Sequence, residues 1–264
     1  MPELPEVETT RRRLLPLLKG KPLLRVRHQD PLRYRHTERA EGKRILDIGR
    51  RGKFLLFALS GGLEMVVHLG MTGGFRLEAT PHTRATLEFP SFPLHFHDPR
   101  RFGRIWVVEG GNYQEIPLLS RLGPEPLSED FRLEGFLQGL RRSAKPLKAL
   151  LLDQTLAAGV GNIYADEALF RARLHPLRRA KELRPEEGER LFRALKEVLA
   201  EALALGGSTL SDQSYRQPDG LPGSFQERHA VYGREGLPCP ACGAPIRRQV
   251  VAGRSAHFCP RCQG

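Results

Sequence analysis

The chain is 264 residues long, 40% hydrophobic and 27% charged, enough for one large domain or two ordinary ones with a real core. Lysine and arginine total 42 against 30 aspartates and glutamates, a formal net charge of +12; the basic residues are distributed rather than gathered in a tail, which favours a folded surface for a polyanion, nucleic acid foremost. No secretory h-region opens the chain and no apolar run is long enough to span a bilayer, so a soluble, cytoplasmic protein without a membrane partner is expected.

The chain starts Met1-Pro2-Glu3-Leu4-Pro5-Glu6-Val7-Glu8. A small residue after Met1 normally permits removal of the initiator, which leaves Pro2 with a secondary amine, a good nucleophile toward an aldehyde through a covalent imine. Glu3 beside that amine and Glu6 three residues on are carboxylates that move protons once burial or a neighbour tunes them. The same residues also read as an ordinary helix start, with proline and acids in the first turn. Leu4, Val7, Leu14, Leu15 and Leu18 predict an amphipathic helix over 4–18, ended by Gly20 and Pro22. Short apolar runs follow at 23–26, 45–48, 54–59, 64–69, 75–77, 86–89, 94–96 and 104–108, separated by Gly, Pro and Asp. Their spacing suggests an antiparallel sandwich or barrel.

The texture changes after Gly110-Gly111, and the proline-bearing segment 115–126 reads as a linker. Helical patterns come next: one capped by Ser128 and running through Leu140, one over 145–152, and one over 162–174 behind Gly159-Val160-Gly161. Asn162 by itself reads as the N-cap of that third helix. A longer helix starts at Pro185, carries Leu191, Leu195, Val198, Ala202 and Leu205 at helical spacing, and stops at Gly206-Gly207. Residues 207–228, rich in Gly, Ser, Asp, Gln and Pro, read as a long functional or mobile loop.

All four cysteines lie at or beyond residue 239. Cys239-x2-Cys242 and Cys259-x2-Cys262 are separated by 16 residues, a spacing that gives four thiolates to one tetrahedral zinc ion; redox-active or free cysteine pairs are the alternative. Four thiolates close the coordination shell, so the metal is structural, folding a hairpin with Gly253 at its turn that is too small to fold alone. That hairpin carries Arg247, Arg248 and Arg254, whose planar forks suit phosphate.

Together these segments resemble the formamidopyrimidine-DNA glycosylase family, bacterial repair enzymes also called 8-oxoguanine DNA glycosylases. The resemblance runs from Pro2–Glu8 through Gly52-Lys53, His68-Leu69-Gly70-Met71-Thr72-Gly73 and Asp98-Pro99-Arg100-Arg101-Phe102-Gly103. It continues through Gly159–Glu167 and Val231-Tyr232-Gly233-Arg234 to the finger with Gly253-Arg254. It implies an α+β multidomain fold. Residues 1–112 would form a catalytic antiparallel β-sandwich with flanking helices, and 113–126 a linker. Residues 127–228 would form a helix–two-turn–helix domain with a lesion-reading loop at 207–228, and 229–264 the four-cysteine β-hairpin finger. Duplex DNA with oxidised bases or abasic sites would lie in the cleft between the halves, bound by a monomer on the bacterial nucleoid. One structural zinc and no organic cofactor are implied.

The resemblance also assigns roles. Pro2 attacks C1′ of an everted nucleotide, Glu3 shuttles the proton and Glu6 supports the N-terminal site. Lys53 matches the lysine of β-elimination and Arg254 the arginine of δ-elimination. Arginine is a poor proton donor, with a pKa above ~12, so positioning of phosphates is the simpler chemistry for Arg254. Met71, Arg100 and Phe102, of which Met71 and Phe102 alone would read as core residues, correspond to the set inserted into the duplex. His68, His82 and Tyr232 match phosphate contacts; Asn162 is a DNA-binding residue of the helix–two-turn–helix segment, whose glycines let backbone N–H groups approach a phosphate, and Arg142 is a DNA contact in a segment with fewer lysines than the family usually shows. Two other readings compete: an endonuclease VIII-type glycosylase for oxidised pyrimidines, and a non-enzymatic zinc-finger DNA-binding protein.

Overall fold

The computed structural model describes residues 2–264; the expected removal of Met1 falls outside the described residues. The chain divides into two compact units, residues 2–120 with 205–226 and residues 121–204 with 227–264.

In the first unit, α1 (Leu4–Leu18) starts at the N-cap Glu3, whose side chain accepts the Glu6 N–H while the Glu6 carboxylate accepts the Glu3 N–H. This reciprocal pair satisfies two of the orphan donors of a helix start. Leu4, Val7, Leu14 and Leu18 are fully buried, the stripe that the spacing predicts. Ten strands follow: β1 (Pro22–Leu23), β2 (Arg25–His28), β3 (Tyr34–Arg35), β4 (Lys43–Arg51), β5 (Phe54–Leu59), β6 (Leu63–His68), β7 (Gly74–Arg76), β8 (Thr83–Glu88), β9 (Pro93–His97) and β10 (Arg104–Glu109). They form a six-stranded sheet in the order β1-β4-β5-β6-β10-β3 and a four-stranded sheet in the order β2-β8-β9-β7. Rings of both sheets meet in one core: Phe57 of β5 lies 6.1 Å edge-on from Phe75 of β7, which lies 5.4 Å from Phe96 of β9.

Four details depart from the expectation. The sheets are antiparallel except where β3 runs parallel to β10, Tyr34 opposite Ile105; a two-residue strand has no period to read. The run expected as one strand over 23–26 breaks at Leu24, whose N–H bonds to Glu88 O, so its halves enter different sheets. Within the expected linker, α2 (Pro117–Ser120) forms over buried Ile116 and Leu119. The segment 205–226, expected with the helical domain, groups with the first unit because its backbone and side chains bond to α1 and β7.

The second unit contains α3 (Leu133–Arg141), α4 (Leu147–Leu151), α5 (Asn162–Arg171), α6 (Pro185–Ala204) and the hairpin β11 (Arg247–Val251) and β12 (Arg254–Phe258). The helix expected behind a Ser128 cap begins four residues later, with Arg132 as its N-cap, because the Ser128 hydroxyl donates back to Glu125 O, closing a turn instead of capping. Phe131 stacks on Phe192 at 4.8 Å, with Phe136 5.6 Å away from Phe192. No helix among the described residues is long and apolar enough to cross a membrane.

Phe57→Ala removes the ring that joins the two sheets and should destabilise the first unit by about 3–5 kcal/mol. The single tryptophan, Trp106 of β10, reports this as a lower urea midpoint; an unchanged midpoint would show that the core closes without Phe57.

Candidate active site

Pro2, Glu3 and Glu6 are all buried at the start of α1. The Glu6 carboxylate works on two sides: Oε2 accepts the Glu3 N–H at 2.8 Å and Oε1 accepts the Ser208 N–H at 2.7 Å. Gly207, with φ +80°, precedes that serine, and a Cβ there would lie 2.6 Å from Glu6 Oε1; only glycine fits both the backbone and the space. The Tyr215 hydroxyl donates to Glu6 O and Gly206 O, and burial, then the Glu6 charge, pushes that hydroxyl far above its ordinary value. Two residues further on, Glu8 accepts from Arg11, Arg12 and, at 3.1 Å, Arg50 of β4. Burial pushes its carboxyl up, but the Arg11 and Arg12 hydrogen bonds and the Arg11 and Arg50 charges together pull it down to about 2. α1 is thereby fixed over the β4–β5 hairpin.

Lys53, buried, sits in the turn of that hairpin beside Phe54, and the register runs Phe54, His68, Arg104 across β5, β6 and β10. His68 Nδ1 accepts the Gly70 N–H at 3.2 Å, which leaves the proton on Nε2. Burial, then the charges of Lys53 and Arg104, lowers its pKa to about 4, so His68 offers a neutral N–H donor.

Two loops at the ends of β6 and β9 carry Met71, Arg100 and Phe102. Asp98, fully buried, ties them together: its carboxylate accepts the Thr72 hydroxyl at 2.7 Å and the Gly103 N–H at 2.7 Å, and the Thr72 hydroxyl oxygen accepts the Arg100 N–H at 3.2 Å. Phe102 is 50% exposed, with the Arg100 guanidinium 5.1 Å over its ring. A phenylalanine held in water by a buried carboxylate is not a core residue. His82 is exposed, and its main-chain carbonyl accepts the Asp98 N–H.

In the second unit Gly161, not Asn162, is the N-cap of α5. Gln154 braces the preceding turn, donating to Val160 O at 2.8 Å and accepting the Gly159 N–H at 2.8 Å. Asn162 Nδ2 reaches Ser255 Oγ of β12 at 3.3 Å, while its buried Oδ1 has no partner among the described residues. Behind it, fully buried Lys148 donates to Asn162 O and to Asp166 Oδ1, and Asp166 Oδ2 accepts the His257 N–H at 2.9 Å. The Glu167 carboxylate accepts the N–H groups of Ala230, Val231 and Tyr232, although burial still raises its pKa. Adjacent acids of α5 thus hold the half-buried Tyr232 and the hairpin. Arg254 is exposed at the first position of β12, after an Ala252-Gly253 turn in which both residues have positive φ, and Arg142 is exposed at the end of α3.

The four cysteine sulfurs lie within 4.8 Å of one another. Cys239 and Cys262 are 3.9 Å apart, and Cys242 and Cys259 are 3.5 Å apart, too far for disulfides. Tetrahedral Zn–S bonds of ~2.3 Å place sulfurs about 3.8 Å apart, so the donor set fits one structural zinc. The core beneath is small, chiefly Val231, Ala244 and Ile246, so the metal supplies what burial cannot.

The chain matches the formamidopyrimidine-DNA glycosylase N-terminal domain over residues 1–105, the H2TH domain of the same enzymes over 122–214, and the zinc finger found in FPG and IleRS over 236–264. It is 74% identical to the formamidopyrimidine-DNA glycosylase of Thermus thermophilus, covering 100% of this chain and 99% of that protein. The chain belongs to the formamidopyrimidine-DNA glycosylase family. The Deinococcus radiodurans member is 51% identical over 100% of this chain and 97% of its own length. Among solved structures, MutM (Fpg) from Thermus thermophilus superposes with a TM-score of 0.98 at 73% identity, covering 100% and 99% of the two chains. Lactococcus lactis Fpg in complex with abasic-site DNA superposes with a TM-score of 0.92 at 36% identity, covering 99% of each.

Within this member of the family, sequence reasoning gave no role to Asp98, Lys148, Asp166, Glu167, Ser208 or Tyr215. Charged residues inside an apolar helix, as at Asp166 and Glu167, are the one local signal that marks such supports. Ser208 and Tyr215 carry none.

Two outcomes are expected. Stripping the metal with a chelator should release one zinc per chain and abolish amide-exchange protection over 236–264 while β4–β6 keep theirs; retained protection in the finger would refute a folding role for zinc. His68, with its folded pKa below the ordinary 6.5, should stay neutral to about pH 4. Its contribution to stability is full above about pH 6.5 and is lost as pH falls toward 4. An imidazole NMR titration midpoint near 6.5 would contradict this.

Proposed function

We propose that the protein excises oxidised purines, 8-oxoguanine and formamidopyrimidines, from duplex DNA through an imine at Pro2 and then cuts the strand. The observation that carries the reading is the burial of Pro2 at the start of a helix whose next acids, Glu3 and Glu6, are also buried, with Glu6 fixed by the Glu3 and Ser208 N–H groups. A mutant of Lactococcus lactis FPG is known in complex with DNA containing Fapy-dG, which supports a damaged-purine substrate here.

The Pro2 nitrogen bonds to C1′ as the C1′–base bond breaks, its electron pair leaving with the base, which takes up a proton shuttled by Glu3. The nitrogen then loses its proton and its lone pair expels O4′, which takes up a proton delivered through Glu3, so that the opened sugar is an iminium that acidifies C2′. Loss of a C2′ proton expels the 3′ phosphate, and a second elimination expels the 5′ phosphate. Lys53 assists the first elimination and Arg254 positions phosphate for the second. Met71, Arg100 and Phe102 fill the gap left by the everted nucleotide. His68, His82, Arg142, Asn162 and Tyr232 bind the backbone.

Borohydride trapping tests this on duplexes with one 8-oxoguanine or one dihydrouracil opposite cytosine or adenine, respectively. Wild type should cross-link most strongly to 8-oxoguanine, its intact mass should lack Met1, and Pro2→Gly should reduce the cross-link by about tenfold or more. A stronger dihydrouracil signal would reassign the protein to oxidised pyrimidines. No cross-link on either lesion or on an abasic site, despite tight binding, would leave a DNA-binding protein without this chemistry.

A further inference from the structure

Arg76 of β7 is half-buried, and its acceptors are peptide carbonyls: Nη1 donates to Phe75 O at 2.9 Å, Arg216 O at 2.9 Å and Gln217 O at 3.5 Å. A guanidinium drawn out of water is usually met by a carboxylate. Here it is met by the backbone of the segment 213–222. A second arginine reaches the same place from α1, where Arg13 Nε donates to Gln217 Oε1 at 2.9 Å and lies 3.8 Å from Asp219. Gln217 is buried and passes the contact on, its Nε2 donating to Pro222 O at 3.2 Å. Arg216 closes the tip, donating to Gly220 O at 2.8 Å and to Gln213 Oε1 at 2.6 Å.

The root of this loop is equally fixed. Ser208 N–H is held by Glu6 Oε1, Thr209 Oγ1 donates to Tyr215 O at 3.0 Å and accepts the Gly223 N–H at 2.9 Å. One carboxylate separates the loop root from the Glu3 N–H, the peptide next to the Pro2 amine. A loop with no strand pairing is therefore held by side chains from α1 and β7, and its root is joined through Glu6 to the peptide that follows the nitrogen proposed to attack C1′.

The geometry points to Arg76 as a positioning residue that sets which base is accepted: it holds the loop 213–222 as the wall that meets the base of a nucleotide whose C1′ lies at Pro2. The assignment rests on the Pro2 reading above. Arg76 touches no reacting atom in it and acts through Arg216 and Gln217. An abasic site has no base to meet the wall, so the two substrates separate a positioning role from a general structural one.

The test compares single-turnover rates on a duplex with one 8-oxoguanine and on the same duplex with an abasic site, for wild type, Arg76→Met and Arg76→Lys. Misplacement of the wall should slow base excision by Arg76→Met roughly tenfold to a hundredfold, with strand cleavage at the abasic site unchanged within about twofold and Arg76→Lys recovering part of the loss. Equal losses on both substrates with unaltered thermal unfolding, or no loss on either, would overturn the assignment. Should Arg76→Met fail to fold, Arg13→Met removes the second strap from a half-exposed position, and the same ratio of rates decides. If the Pro2 reading itself is at fault, wild type cleaves neither substrate, and the assignment falls with it.

Discussion

A single carboxylate organises the first unit. Glu6 accepts one N–H from the residue that starts its own helix and another from Ser208, 202 residues further along the chain. Buried carboxylates are tolerated when hydrogen bonds saturate them, and this one is saturated by the two backbone segments whose relative placement the proposed chemistry needs. The Glu3 capping bond makes the helix start rigid, Gly207 makes the approach possible, and the buried Tyr215 hydroxyl ties the Glu6 and Gly206 carbonyls together. Removing the Glu6 charge would release both segments at once. The Pro2 environment and the long loop are thus consequences of the same interaction.

The second unit solves a similar problem with neighbouring acids and a metal. Asp166 and Glu167 point from one helix to different strangers in sequence, the His257 backbone and the run Ala230–Tyr232. Zinc shapes the hairpin, while the acids dock it against α5. Lys148 neutralises Asp166 from within the core, so the helix start that presents Asn162 is braced from below by a charge pair that no solvent reaches.

Much of this was legible where the chemistry is local. The stripe Leu4, Val7, Leu14, Leu18 became α1, the short apolar runs became most of the strands of the sandwich, and the paired CxxC spacing became a four-sulfur cluster. Reading failed where a long-range bond decided. Ser128 looked like a cap but turned its hydroxyl to Glu125; Tyr34–Arg35 paired parallel to β10 without a pattern long enough to show it. The segment 205–226 looked like part of the helical half because it follows α6, yet Glu6, Arg13 and Arg76 bind it to the first unit. Phe102 taken alone reads as core, while the family resemblance sets it among the residues inserted into the duplex; the Asp98 latch is the physical reason it stands in water. The residues of the proposed chemistry stood out by type; the buried residues that hold them did not.

The neutral state of His68 has a consequence for how the protein would grip a polyanion. Binding through arginine and lysine displaces condensed cations from the duplex, and affinity falls with added salt in proportion to the charges engaged. An imidazole that donates a proton without carrying a charge displaces none. In the proposed complex, His68 would therefore strengthen contact with a phosphate at the damaged strand equally at low and high ionic strength, while the arginines of the finger and the exposed loops would set how steeply the whole grip loosens as salt rises.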